Sequence, residues 1–178
     1  MTGHSETRLI VIRGNSASGK STLARALRAA RPRGIAIIGQ DQLRREILHA
    51  REEPGNPAVG YIDLSARYAL DIGLHVIVEG ILCTRVYGAM LTQLLADHRG
   101  TTRCYRYELS FEETARRHSR KPQAAEYGPD TMREWWIGTD PLPSITECPF
   151  DQDVSLAAAT NQILGDCGWL ADPVQHVS

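Results

Sequence analysis

No apolar run in this chain approaches the ~20 residues that a membrane-crossing helix needs, and Met1 to Arg8 lacks the apolar stretch of a signal peptide. The expected location is the cytoplasm, with no membrane partner. Cysteine is sparse: Cys83, Cys104, Cys148 and Cys167 stand far apart with no C-x-x-C pair, a pattern that suggests neither a zinc site nor a redox motif. An excess of either charge is also missing. Lys and Arg number 20 against 21 Asp and Glu, for a net charge of −1, so the chain offers no general attraction for nucleic acid, and none is expected as a partner. Internal repeats and low-complexity segments are absent too. What is present is an ordinary share of hydrophobic (42%) and charged (23%) residues in 178 positions, enough for one buried core and too little for two ordinary domains. Residues 1–178 are therefore expected to form a single domain.

Short apolar runs alternate with longer segments of helical period, the pattern of an α/β protein with a mainly parallel sheet. Strands are expected at Arg8–Arg13, Ile35–Ile38, His75–Val78, about Arg103–Leu109 and Ile145–Phe150, the last weakened by Pro141, Pro143 and Pro149. Helices are expected from Lys20 to about Arg31, after Asp41 through Leu43, Ile47 and Leu48, and across Val59, Ile62, Ala66, Ala69 and Leu70. Further helices are expected at Val86–His98, Phe111–His118, Pro129–Ile137 and Val154–Leu164. The stretch from Ser119 to Gly128 is basic and then turn-rich, and is read as part of a mobile lid around residues 116–130.

Between the first strand and the first helix lies Gly14-Asn15-Ser16-Ala17-Ser18-Gly19-Lys20-Ser21, a complete G-x-x-x-x-G-K-[ST] phosphate loop, followed by Thr22. Its backbone N–H groups would form a nest for phosphates at the positive end of the helix dipole, and Gly14 and Gly19 let the backbone approach. Lys20 would reach the β- and γ-phosphates, and the Ser21 hydroxyl would ligate Mg²⁺. The pattern implies ATP or GTP with Mg²⁺.

In open parallel sheets ligands sit beyond the carboxyl ends of the strands, so the polar residues there are the next candidates. Asp41 follows the second strand and is placed to accept the proton of an attacking hydroxyl; an Asp before a helix is equally a good N-cap, and one carboxylate can serve both ends. Glu79 follows the third strand and precedes Gly80, where it would order a metal-bound water or hold the acceptor's hydroxyls; the alternative is a solvated acid. Arg44 is expected to reach toward the acceptor while Arg45 joins a surface ion pair. The run Arg116-Arg117-His118-Ser119-Arg120-Lys121 would deliver charge to the γ-phosphate, with Arg117 and Arg120 favoured, or would simply end a helix in solvent. Trp135 and Trp136 are expected to pack in the core or stack on a ligand ring.

With the phosphate loop, I-I-G-Q-D-Q-L-R-R, V-I-V-E-G and R-R-H-S-R-K in hand, the chain resembles the P-loop kinases of the nucleoside-kinase-like group. Within it, the similarity is greatest to the small-molecule phosphotransferases that include chloramphenicol phosphotransferase and the zeta-toxin kinases, over most of the chain to about residue 165. The resemblance implies a three-layer sandwich, a parallel five-stranded sheet with helices on both faces. It implies Asp41 as the acid activating the acceptor hydroxyl, Lys20 and Ser21 as phosphate and Mg²⁺ ligands, and Arg117 or Arg120 as lid arginines. Glu79-Gly80 stands where some relatives carry other acids. The implied partner is a small hydroxyl-bearing acceptor, with antibiotics, including nucleoside antibiotics of the capuramycin type, one class. A nucleotide-sugar kinase and a non-catalytic nucleotide switch are the competing readings.

Overall fold

Leu9-Ile10-Val11-Ile12 is too short for a buried helix and apolar on both sides of a pleat, which suits a strand covered on both faces. In the computed structural model, which describes residues 1–31, 33–119, 128–134, 136–143 and 145–170, all four of these side chains are fully buried within β1 (Arg8–Gly14). Its alternate residues enter two different cores. Leu9 and Val11 join Val76 and Val78 on one face, while Ile10 and Ile12 join Ile77 on the other.

Four more strands complete a parallel sheet: β2 (Ile35–Gly39), β3 (His75–Gly80), β4 (Thr101–Tyr107) and β5 (Cys148–Phe150), in the order β2-β3-β1-β4-β5. Parallel neighbours need crossovers, and helices supply them. The first core is closed by α2 (Pro57–Asp71) and α3 (Thr84–Asp97), and the second by α1 (Lys20–Ala30) and, after β5, α6 (Leu156–Asp166). The result is the expected three-layer α/β architecture. Between β4 and β5 run α4 (Phe111–His118) and α5 (Pro129–Glu134).

Local chemistry sets the ends of these elements. Asn56 Oδ1 accepts from Ala58 N at 3.0 Å with Pro57 in the first helical turn, so α2 starts two residues before the first periodic apolar residue. Ser155 caps α6 by accepting from Ala158 N, which places that helix two residues later than its apolar pattern suggests. β4 begins and ends two residues earlier than expected. β5 shrinks to three residues at the sheet edge, where Pro149 has no N–H to give and Glu147 is drawn into an ion pair. The segment after Asp41 is a π-helical turn, Gln42–Ile47, with Leu48 N donating to Leu43 O at 3.0 Å.

With every strand parallel, one edge of the sheet gathers Gly14, Gly39, Gly80 and Tyr107. The crossover from β1 passes β3 to reach β2, whereas that from β3 passes β1 to reach β4, so the connections diverge beside β1 and the crevice at this edge opens there.

Candidate active site

Gly14 ends β1 at φ 145°, where a Cβ would lie 2.8 Å from that of Tyr107, and Gly19 enters α1 at φ 110°. Ala17 between them takes φ 63°, an uncommon conformation for a residue with a side chain and one that turns the loop back on itself. Lys20 is buried, and its Nζ donates to Asn15 O at 2.7 Å and Ser18 Oγ at 3.3 Å. α1 has neither a side-chain cap nor an acidic residue in its first turn, so its leading amides keep their capacity for an anion.

Ser21 Oγ donates to Glu79, with both carboxylate oxygens 3.0 Å away. Gly39 pairs with Glu79 in register and leaves it room, since a Cβ there would be 3.1 Å from Oε1. Burial pushes the Glu79 carboxyl above its usual range; Lys20 and the Ser21 hydrogen bond oppose that shift. A hydroxyl and a carboxylate beside a phosphate loop are hard oxygen donors suited to Mg²⁺, which typically takes one or two carboxylates and completes its shell with phosphates and water. Among the described residues no group of three or more His, Cys, Asp or Glu side chains is arranged to hold a metal by itself.

Asp41 follows β2 in helical backbone geometry, and its side chain makes no capping bond to the π-helical turn. Its carboxylate is 68% exposed and accepts from Arg44 Nη2 at 3.3 Å. Arg44 is itself held by Ala50 O and by Glu52, 2.7 Å from Nε. The ion pairs thus fall to Arg44, and Arg45, expected from the sequence to join one, makes none among the described residues; both line the cleft. Beneath them Gln40 is buried, accepting from Leu82 N at 2.8 Å and donating to Glu52 at 2.9 Å. Tyr87 also donates to Glu52, and burial together with that carboxylate pushes its phenol up to about 12. Gln40 and Glu52 escaped sequence reasoning. Their partners lie as much as 42 residues away and no local motif marks them.

On the other side of the loop, Arg117 Nη1 donates to Ser18 O at 3.1 Å and its Nε to Glu113 at 2.6 Å. Hydrogen bonds from Arg116 and Arg117 hold the Glu113 carboxyl down to about 2. Among the described residues the Arg116 side chain bonds only Glu113 and is largely exposed, so of this pair Arg117 is the one at the phosphate loop. Arg120, Lys121 and Trp135 lie outside the described residues, as does much of the expected lid. Trp136 stacks edge-on against Phe111, with ring centroids 5.4 Å apart. The Asn15 amide grips both the N–H and the C=O of Ile137, tying the loop to the chain that returns from α5.

Arg13, another residue without a sequence signal, lies under the loop with only 1% of its side chain exposed. It donates to Glu147, to Asp140 Oδ2 at 2.8 Å, to Thr84 Oγ1 and to Leu82 O. Asp140 in turn accepts from Thr84 N, serving the start of α3.

These parts surround a cleft of 1530 Å³ that brings Ser16, Ala17, Gly19, Lys20, Ser21 and Thr22 together with Asp41, Arg44 and Glu79. Buried His118 lines it as well.

A family model described as an AAA domain matches residues 9–134. No curated protein matches the chain by sequence. Among solved structures, a gluconokinase from Sinorhizobium meliloti 1021 superposes with a TM-score of 0.63 at 21% identity, covering 94% of this chain and 95% of its own. The APS kinase of Mycobacterium tuberculosis, in complex with AMPPNP and APS, gives a TM-score of 0.67 at 18% identity over 93% and 99% of the two chains. A tunicamycin resistance protein of Deinococcus radiodurans gives 0.57 at 17% over 91% and 96%. These likenesses establish an α/β fold of the P-loop kinase type.

Proposed function

Because the chain belongs to the AAA-domain family matched by its residues 9–134, we propose that it is a Mg²⁺-dependent phosphotransferase carrying the γ-phosphoryl group of ATP or GTP to a hydroxyl of a small molecule. The observation that carries this reading is the sharing of one cleft by the phosphate loop, the Ser21–Glu79 pair and the exposed Asp41 carboxylate. A protein that only binds nucleotide has no use for the last of these. The three neighbours support the general class, since two are named as kinases of small molecules and the third for resistance to an antibiotic.

In this reading the loop amides and Lys20 hold the triphosphate, while Ser21 and Glu79 would hold Mg²⁺, which spreads and neutralises phosphate charge when bound. Asp41, steadied by Arg44, accepts the proton of the acceptor hydroxyl. The freed oxygen forms a bond to the γ-phosphorus as the bond to the β,γ-bridging oxygen breaks, and the nucleoside diphosphate leaves. Arg117 lies at the loop where charge builds on the transferring group, and a second cation from Arg120 would complete the lid.

The test is a mass-spectrometric screen of hydroxyl-bearing antibiotics, nucleosides and nucleotide sugars with the purified protein, Mg²⁺, ATP and GTP. Gain of one phosphoryl group on an acceptor is the expected result. Tight nucleotide binding with no product across a wide panel would favour the switch reading, and a product confined to the nucleotide sugars would place the protein with the toxin-like kinases.

A further inference from the structure

The lining of the cleft is net positive. Six Lys and Arg side chains line it against four Asp and Glu, an excess of two in a chain whose net charge is −1. Most of the charges already described are engaged: Lys20 with the loop, Arg44 with Asp41 and Glu52, and Glu79 with Ser21. Arg25, Arg28 and Arg45 also line the cleft, and none of them makes a hydrogen bond or ion pair among the described residues.

Their placement separates them from the nucleotide phosphates. Arg25 and Arg28 stand five and eight residues beyond Lys20 on α1, roughly 7 and 12 Å along the axis at the α-helical rise. Helical side chains lean toward the N-terminus, so both arginines tilt back toward the loop end of the cleft. The Arg25 charge is felt by Glu79. Arg45 lies about one turn beyond Asp41 on the π-helical turn and lines the same cleft, as does Ile37 of β2. Arg25, Arg28 and Arg45 bring like charge to one cleft, with Glu46 and Glu79 in the same lining, and a bound anion would offset what remains.

We propose that the acceptor is itself an anion, a hydroxyl compound whose carboxylate or phosphate monoester is seated by Arg25, Arg28 and Arg45 while its hydroxyl meets Asp41. The planar guanidinium fork matches both groups, and a second point of attachment fixes the hydroxyl's direction toward the γ-phosphate. This inference rests on the kinase reading and adds the acceptor's chemistry to it.

The test uses the full chain with its phosphate loop filled. Calorimetric titration of AMPPNP with Mg²⁺ comes first; failure to bind overturns the kinase reading and this proposal with it. Inorganic phosphate and sodium acetate are then titrated separately into the AMPPNP–Mg²⁺ complex. Saturable 1:1 binding of at least one anion is expected, weakened at least tenfold in Arg45→Gln and in the double variant Arg25→Gln/Arg28→Gln, with AMPPNP affinity unchanged. The stronger binder distinguishes phosphate from carboxylate. Absence of anion binding at millimolar concentration, or binding equal in all three proteins, overturns the proposal. So does an uncharged acceptor phosphorylated with the same kcat/KM by wild type and Arg45→Gln.

Discussion

Asp41 follows β2 and Glu79 is the penultimate residue of β3, one step later in the strand than its apolar run suggests, and the two differ in burial. Asp41 keeps its carboxylate open to the cleft, whereas Glu79 is held against Ser21. Replacing Glu79 with Gln keeps the shape and removes the charge. The expected outcome is a 10–100-fold rise in the Mg²⁺ concentration needed for half-maximal transfer, with AMPPNP binding in EDTA unchanged, measured by metal titration of the rate. Arg13 carries a different load. With both it and Glu147 nearly free of solvent, Arg13→Ala leaves carboxylates uncompensated beneath the loop and is expected to cost about 3–5 kcal/mol in urea unfolding. The phosphate loop was legible because its chemistry is local, eight consecutive residues with one job. Arg13 was not, since its acidic partners are 127 and 134 residues away and a strand-end arginine gives no hint of them.

At the scale of elements, strands and most helices followed from apolar period, and the departures have local causes. Helix ends moved where Asn56 and Ser155 supplied caps, and a π-helical turn replaced ordinary helix after Asp41, which periodicity does not reveal. The ends of β2 and β3 are locked together at Gly80, where a Cβ would stand 2.5 Å from that of Gln40. Gly80→Ala must push Gln40 off Leu82 and Glu52, and a loss of about 1–3 kcal/mol is expected in thermal or urea unfolding. The opposite end of β3 predicts a pH response. His75 Nδ1 accepts from Arg8 N, and burial, with Arg31 and Arg8 nearby, lowers its pKa from 6.5 to about 4. The folded-state value lies below the unfolded one, so the neutral imidazole contributes its full stability above pH 6.5. That contribution is lost as pH falls through about 4. His98, buried between Thr7 and Thr102, is lowered by burial in the same sense. Melting temperatures taken from pH 7 to pH 4 are expected to fall, and His75→Gln to flatten the slope.

For the whole molecule, a five-stranded parallel sheet makes one edge the meeting place of groups scattered from Gly14 to Glu79, and Arg117 of α4 reaches it from beyond β4. That convergence was readable in outline, because strand-end position alone singled out Asp41 and Glu79. The support around them was not, because Gln40 and Glu52 meet each other and Tyr87 only once α2 and α3 have packed against the sheet. The central claim is that this edge transfers a phosphoryl group with Asp41 as base, and Asp41→Asn tests it most directly. Product formation and AMPPNP affinity are measured on the same preparation, by mass spectrometry and calorimetry. Transfer is expected to fall about 10²–10⁴-fold with nucleotide affinity within twofold of wild type. Transfer at the wild-type rate would contradict the account.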